Sequence, residues 1–74
     1  MRATRSRPPA RRFDAVAEAV ILAARMHREP WHLVARRALV SERQIRRWRA
    51  AGRAGDPRFA GFAEAVDGIE RVSR

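Results

Sequence analysis

The segment over residues 31–51 restricts the fold of this chain more than any other part, because it reads as two short helices separated by a three-residue turn. Apolar residues recur at helical spacing on both sides of the turn, and Ala35 stands where the two helices must approach closely. This pattern predicts a helix-turn-helix unit. An ordinary amphipathic helical hairpin is the alternative, since Leu39 occupies a turn position that more often carries Gly. The residues predicted to face inward are Val34, Ala38, Val40, Ile45 and Trp48.

Local end signals set the bounds of these two helices. Pro30 suits the first turn of a helix, where its missing N–H is not needed, so one helix is predicted over about residues 30–38. Ser41 and Gln44 have the spacing of a capping box, in which the Ser oxygen accepts the Gln backbone N–H and the Gln side chain returns to the Ser N–H. The second helix is therefore expected to start at Ser41. Gly52 is expected to end it in a left-handed conformation.

A further helix is predicted before this unit, over about residues 11–26, with Asp14, Glu18 and Arg25 on the side away from the core. Leu22 also falls on the outer side, where it can meet another helix or a second subunit. The inward stripe consists of Phe13, Val16, Ala17, Val20 and Ala24.

A linker over residues 53–57 is predicted to lead into a fourth helix, with Asp56 as its N-cap and Pro57 as its first residue. Helical spacing of apolar residues extends this helix to about residue 72. Its inward stripe consists of Phe59, Phe62, Val66 and Ile69, widened by Ala65 and Val72.

Three small residues, Gly61, Ala65 and Gly68, form a row along the fourth helix. Each Gly weakens a helix by roughly 1 kcal/mol relative to Ala, so the row indicates that another backbone comes close to it. The first helix of the same domain is the favoured neighbour. A second subunit is the alternative, and the chain would then be a homo-oligomer.

The net charge of +9 is distributed unevenly along the chain. Residues 1–12 carry five Arg and no acid, and residues 31–55 carry seven Arg against one acid, Glu42. Positive charge concentrated in an N-terminal arm and in a helix-turn-helix unit is the pattern expected of a protein that binds the phosphates of nucleic acid. The sequence therefore predicts binding to double-stranded DNA in the major groove.

The candidate contact residues fall into two groups. Base edges are expected to be read by Glu42, Arg43, Arg46 and Arg47, with Arg43 and Arg47 as the guanine readers because guanidinium bonds guanine in bidentate fashion. Contacts to phosphates or to the groove are assigned to Arg2, Arg5, Arg7, Arg36, Arg37, Ser41, Arg49 and Arg53.

Other functional classes find little support in the sequence. There is no cysteine, and His27 and His32 cannot place both rings on one helix face across Pro30, so neither a metal site nor a cofactor is predicted. No nucleophile, base and orienting acid can be assembled, which argues against an enzyme. No apolar run has the roughly 18 residues of a membrane span, and no signal peptide is recognised, so a soluble cytoplasmic protein is expected. A basic module that binds RNA or an acidic protein remains the alternative.

Several short motifs occur in a characteristic order between residues 13 and 72. They are Phe13 at the start of a helix, Ile45 and Trp48 in the helix-turn-helix, the Trp48-Arg49-Ala50-Ala51-Gly52 ending, the Gly-Asp-Pro linker at residues 55–57, and Phe59 and Phe62 in the last helix. This order resembles the small terminase subunits of tailed bacteriophages. Transposase and phage-regulator helix-turn-helix domains are similar.

The resemblance implies recognition of a packaging site on viral DNA inside a bacterial host, with a large terminase subunit as partner. Family members generally continue into an oligomerising region that builds a ring, whereas this sequence stops at Arg74. A transcription regulator of a phage or mobile element, or an excisionase-like factor, therefore stays open beside the packaging role.

The expected fold class is all-α, with a homeodomain-like three-helix core and an added C-terminal helix. The expected organisation has three parts. A flexible basic arm occupies residues 1–10, the DNA-binding core occupies residues 11–55, and a helix for packing or oligomerisation occupies residues 56–74.

Overall fold

A computed structural model describes residues 12–72, and within that range it contains four α-helices and no strand. The predicted basic arm, including Arg2, Arg5 and Arg7, lies outside the described residues. The all-α class is confirmed. The helices are α1 (Ala15–Met26), α2 (Trp31–Ala38), α3 (Glu42–Arg53) and α4 (Ala60–Val72).

The first helix begins later than the sequence predicted. Asp14 has an extended backbone, and its carboxylate accepts the backbone N–H of Ala17 at 2.8 Å. It is therefore the N-cap of α1 and not an outward-facing residue within the helix. The inward stripe is also rotated from the predicted one, because α1 buries Ala17, Ile21 and Ala24, while Val16 is 59% exposed.

The end of α2 is a Schellman motif built without glycine. Leu39 has φ 61° and ψ 38°, in the left-handed region, and its N–H donates to the carbonyl of Arg36. The next N–H, that of Val40, donates to the carbonyl of Ala35 at 3.1 Å. These are the two hydrogen bonds that define the motif, whose left-handed position favours Gly. Leu39 thus closes the turn at the cost of backbone strain.

The N-cap predicted for α3 is confirmed, and the predicted end is wrong. The Ser41 hydroxyl accepts the backbone N–H of Gln44 at 3.0 Å. Gly52 lies inside α3 and is buried, and a Cβ placed on it would overlap the carbonyl oxygen of Phe59. The left-handed glycine is Gly55, with φ 105°, after the helix has ended. Gly52 is therefore required by close packing rather than by a turn.

The entry to α4 is a turn that Asp56 organises. Its side chain accepts the backbone N–H of Arg58 at 2.9 Å, and its carbonyl accepts the N–H groups of Phe59 and Ala60. The helix α4 begins at Ala60, three residues after the predicted start at Pro57. α4 packs against α3 and α1.

Aromatic rings fill the centre of the core. The ring of Phe13, just before α1, meets those of Trp48 and Phe59 with centroids 5.0 Å apart and that of Phe62 at 5.2 Å, all edge to face. Trp48 is 5% exposed, which confirms its predicted inward position although arginines flank it. The remaining buried members of the core cluster are Ile21, Ala24, Val34, Ala35, Ala38, Ile45 and Val66.

The row of small residues on α4 does not face α1. A Cβ on Gly61 would have nothing within 4 Å, and one on Gly68 would meet only the Arg71 guanidinium at 3.8 Å. The favoured prediction that the first helix approaches this row is therefore wrong. Leu22, predicted to be outward, is instead partly buried against the core.

Candidate nucleic-acid interface

Three arginines share one exposed side of α3. Arg43, Arg46 and Arg47 are separated by three and one residues, which places them on one side of an α-helix. The opposite side carries Ile45, Trp48 and Gly52, all of them buried. We call Arg43, Arg46 and Arg47 the α3 arginine face. Because the helix phase is fixed by the buried residues, this face cannot turn inward.

None of these three guanidinium groups has an acidic or hydrogen-bonding partner within the described part of the chain. Arg43, Arg46 and Arg47 form neither an ion pair nor a hydrogen bond with any residue between 12 and 72, and the same holds for Arg36 on α2. All four side chains are exposed. Their full hydrogen-bonding capacity is available to a partner, which for guanidinium means the fork geometry that matches phosphates and guanine edges.

Glu42 is the first residue of α3 and is partly exposed. A carboxylate at this end is favoured by the helix dipole. It lines a small pocket together with Trp31, Ile45, Arg46 and Arg49. Ser41, assigned from sequence to a phosphate or groove contact, accepts the backbone N–H of Gln44 through its side-chain oxygen.

Two arginines assigned to phosphates from sequence form ion pairs with one acid of α4. Arg49 donates to Asp67 Oδ1 from Nε at 3.0 Å and from Nη2 at 2.7 Å. Arg53 donates to both carboxylate oxygens of the same residue, at 3.2 and 2.7 Å. These bonds clamp α3 to α4. The hydrogen bonds from Arg53 and then Arg49 hold the pKa of Asp67 well below its usual range, and Asp67 in turn raises the pKa of Arg53.

A third assigned phosphate contact, Arg37 on α2, also has an acidic partner. Its Nε donates to the carboxylate of Glu29, in the loop before α2. The Arg37 side chain remains 58% exposed, so this ion pair competes weakly with an outside ligand. Arg37 is therefore more accessible to an outside ligand than Arg49, whose side chain is 24% exposed.

Arg25 is the largest departure from the sequence expectation. It was placed on the outer side of α1, yet its side chain is only 14% exposed. Its guanidinium donates to Glu70 on α4 at 2.9 and 2.7 Å and to the carbonyl of Glu29, and it lies 4.7 Å from the ring centre of Trp31. Arg25 thus ties α4 to the start of α2.

The described residues divide their arginines into two groups. Acids hold Arg25, Arg37, Arg49, Arg53 and Arg58, whereas Arg12, Arg28, Arg36, Arg43, Arg46, Arg47 and Arg71 are exposed and have no acidic partner between residues 12 and 72. Three members of the second group stand together on α3. The structure therefore separates arginines that have an acidic partner from arginines that have none, a division that counting charges could not make.

Among residues 12–72, no three or more His, Asp or Glu side chains are grouped so that they could hold a metal ion, and His27 and His32 are both exposed. No helix in the same range is long and apolar enough to cross a membrane.

Comparisons with protein families, with curated proteins and with solved structures find no match for this chain. The chemistry and geometry of its own residues are therefore the basis for a functional proposal.

Proposed function

We propose that this protein binds double-stranded DNA by placing α3 in the major groove, with α2, the turn at residues 39–41 and α3 acting as a helix-turn-helix. The observation that carries the proposal is the α3 arginine face, on which Arg43, Arg46 and Arg47 are exposed and unpaired while the other side of the helix is anchored in the core. The major groove is about 12 Å wide and admits one α-helix.

The rigidity of α3 supports sequence-specific base contacts rather than non-specific binding to phosphates. Ser41 caps its start, Trp48 packs its middle into the core, and Arg49 and Arg53 fasten its second half to α4. A positioned helix loses little backbone freedom on binding, which favours specific contacts. A flexible basic segment would bind phosphates without selecting a sequence.

Within this proposal, Arg43 and Arg47 are one helical turn apart and read guanines on neighbouring base pairs. Arg46 contacts a base edge or the flanking phosphate, and Glu42 accepts from a cytosine amino group. The phosphates are neutralised by Arg36 and the arm residues Arg2, Arg5 and Arg7, with Arg37 as an added contact. Arg49 leaves the set of phosphate contacts, because Asp67 engages its guanidinium and its side chain is only 24% exposed. Arg53, whose paired side chain is 56% exposed, stays as an added contact like Arg37.

A finer proposal rests on the resemblance to small terminase subunits. The DNA would then be a packaging site, the large terminase subunit would be the protein partner, and the bacterial cytoplasm would be the setting. A phage or mobile-element regulator, or an excisionase-like factor, would use the same α3 contacts. A large packaging ATPase encoded beside this chain would favour the packaging role.

The DNA proposal is tested by anisotropy titrations of a short labelled duplex between about 50 and 200 mM salt. With about five to seven phosphate contacts, we expect log K to fall with log salt with a slope of roughly −4 to −6. Arg47→Gln should weaken binding several-fold. Arg28→Gln is the matched control, since it removes the same charge from an exposed, unpaired arginine outside α3.

Three results would contradict the proposal. The first is a slope near zero, and the second is equal loss of affinity in the Arg47 and Arg28 variants. The third is tighter binding to a structured RNA hairpin than to duplex DNA at the same salt, which would favour an RNA-interaction module.

A further inference from the structure

The small pocket between the start of α2 and α3 combines an aromatic ring with two opposite charges. Trp31 and Ile45 supply its apolar lining, and Glu42 and Arg46 supply a carboxylate and a guanidinium. Its volume is about 130 Å³, and it is partly open to solvent. Since a cavity of about 150 Å³ holds one benzene ring, this pocket has room for one planar ring but not for a whole nucleotide.

The Trp31 ring is held in place by a contact outside the pocket. The Arg25 guanidinium lies 4.7 Å from the ring centre and is itself fixed by two hydrogen bonds to Glu70. Arg25 does not line the pocket, so the pocket reaches the ring from another side. The ring is partly exposed, and its indole N–H has no acceptor among residues 12–72. An aromatic ring that is fixed in place and still reachable from solvent is suited to stacking a second planar ring.

The carboxylate and the guanidinium in this pocket are not paired with each other. Glu42 and Arg46 are four residues apart with the acid first, the spacing at which opposite charges stabilise a helix. Neither side chain forms an ion pair or a hydrogen bond with any residue between 12 and 72. Arg49, which also lines the pocket, is engaged by Asp67. The pocket therefore offers a ligand two carboxylate oxygens as acceptors and one guanidinium as donor.

The nucleobases differ in how well their edges match this pair of groups. Guanine presents two adjacent donors, its ring N–H and its amino group, to which a carboxylate can bond with both oxygens, and next to them a carbonyl oxygen for the guanidinium. Adenine and cytosine place an unprotonated ring nitrogen beside their amino group, and a carboxylate repels that nitrogen. Thymine and uracil have one N–H between two carbonyl oxygens. Guanine is thus the base whose edge the pocket matches.

We propose that this pocket binds an unpaired guanine of a DNA strand, stacked on Trp31 and bonded through its Watson–Crick edge to Glu42 and Arg46. A strand is favoured over a free nucleotide, because the exposed Arg43 and Arg47 on the same helix are available to phosphates beside the base. The choice of DNA rests on the proposed function.

This activity goes beyond binding in the major groove. A base within a duplex is stacked and paired, so its Watson–Crick edge is reached only in a single strand or after the base is extruded. Because Glu42 and Arg46 are shared between the two sites, one molecule cannot use them for both contacts at once.

The proposal is tested with labelled single-stranded pentanucleotides, in which one central base is flanked by thymines, at about 0.15 M salt. By anisotropy, the strand with central guanine should bind about tenfold more tightly than those with adenine or cytosine. Hypoxanthine, which lacks the amino group of guanine, should give an intermediate affinity. Glu42→Gln should remove the preference for guanine. Glu64→Gln, which changes an exposed carboxylate on α4 with no ion pair among residues 12–72, is the matched control and should keep it.

Tryptophan fluorescence adds a measurement that identifies the stacked ring. A guanine stacked on Trp31 should quench its emission, whereas Trp48 is 5% exposed and stays shielded. Trp31→Leu should abolish the quenching and weaken binding of every strand by a similar factor, because stacking does not distinguish the bases. Far-UV circular dichroism checks that each variant remains helical.

Equal binding of the guanine and adenine strands would overturn the proposal, as would a guanine preference that survives Glu42→Gln or quenching that survives Trp31→Leu. Guanosine monophosphate that binds as tightly as the strand would overturn the choice of a strand, and tighter binding of the RNA pentanucleotide would overturn the choice of DNA. Duplex binding is judged separately by its salt slope and by the Arg47 variant, so the failure of one proposal is distinguishable from the failure of the other.

Discussion

The carbonyl oxygen of Phe59 occupies the space in which a side chain on Gly52 would begin, and the methyl group of Ala63 lies 2.7 Å from that point. Two helices thus touch through a glycine that has no room for even one carbon. Backbone atoms supply the nearest contact, so the neighbour cannot yield by turning a side chain. This contact sets how closely α4 approaches α3 and thereby positions the arginine-bearing helix on the core.

Gly52→Ala should lower the free energy of unfolding by roughly 1 to 3 kcal/mol or more, because the added carbon forces α3 and α4 apart. Gly68→Ala is the matched control, since its Cβ would meet only a guanidinium at ordinary contact distance. The free energy of unfolding of that variant should rise by about 0.5 to 1 kcal/mol, because Ala has the higher helix propensity. Urea denaturation of both in dilute solution measures the difference, and equal effects would show that the close approach is absent.

Leu39→Gly should stabilise the protein, although it removes a large side chain. Leu39 is 73% exposed and therefore loses little burial, whereas its left-handed backbone costs roughly 1 to 2 kcal/mol for a residue with a Cβ. The greater freedom of Gly in the unfolded chain offsets part of that gain, which leaves about 0.5 to 1 kcal/mol. Leu39→Val should destabilise the protein, because a β-branched side chain fits these backbone angles less well. Chemical denaturation of wild type and the two variants measures the order of their free energies of unfolding.

The clamp formed by Arg49, Asp67 and Arg53 predicts a pH dependence. The pKa of Asp67 is lowered in the folded chain, so its contribution to stability is fully present above the ordinary carboxyl pKa of about 3.9 and is lost as the pH falls through the folded value. Asp67→Asn should therefore be less stable than wild type at pH 7. This difference in stability between wild type and Asp67→Asn, the stability gap, should narrow as the pH falls below about 4.

Thermal melts from pH 7 down to strongly acidic buffer measure this gap. Glu64→Gln, which alters an exposed carboxylate with no ion pair among residues 12–72, is the control and should change stability little at any pH. A gap for Asp67→Asn that stays constant across the range would mean that the carboxylate is not held by the two arginines.

The parts of the fold that sequence predicted correctly depend on interactions close along the chain. The Ser41 cap joins residues three apart, and the inward positions of Ile45 and Trp48 follow from the phase of one helix. Gly52 was misassigned because a glycine near a helix end has two explanations, a turn or a close contact. The contact partner, Phe59, lies on another element, so the choice required the tertiary structure.

The same limit applies to the candidate interface. Helix phase was enough to place Arg43, Arg46 and Arg47 on the solvent side of α3. Helix phase could not show that Arg49 and Arg53 are paired with an acid, because their partner Asp67 is 18 and 14 residues away in sequence. Arg25 was missed for the same reason, since its carboxylate partner is 45 residues away. No charge pattern within one helix signals such pairs.

Specificity and affinity for DNA should be separable between α3 and the arm. Arg47→Ala should cost roughly 1 to 3 kcal/mol on the preferred site and much less on random sequence, because the proposed bidentate guanine contact would be lost. Removing residues 1–9, which carry three arginines, should weaken binding to all sequences alike and make the salt slope shallower by about 2 to 3.

Selection from a random duplex pool with each variant, followed by titrations on the selected site, tests this division. The arm deletion should select the wild-type sequence, since phosphate contacts carry no base information. The Arg47 variant should lose its preference at one base pair. If the Arg47 variant instead keeps the wild-type preference while the arm deletion changes it, sequence is read by the arm through the minor groove, and the assignment of α3 as the reading helix is wrong.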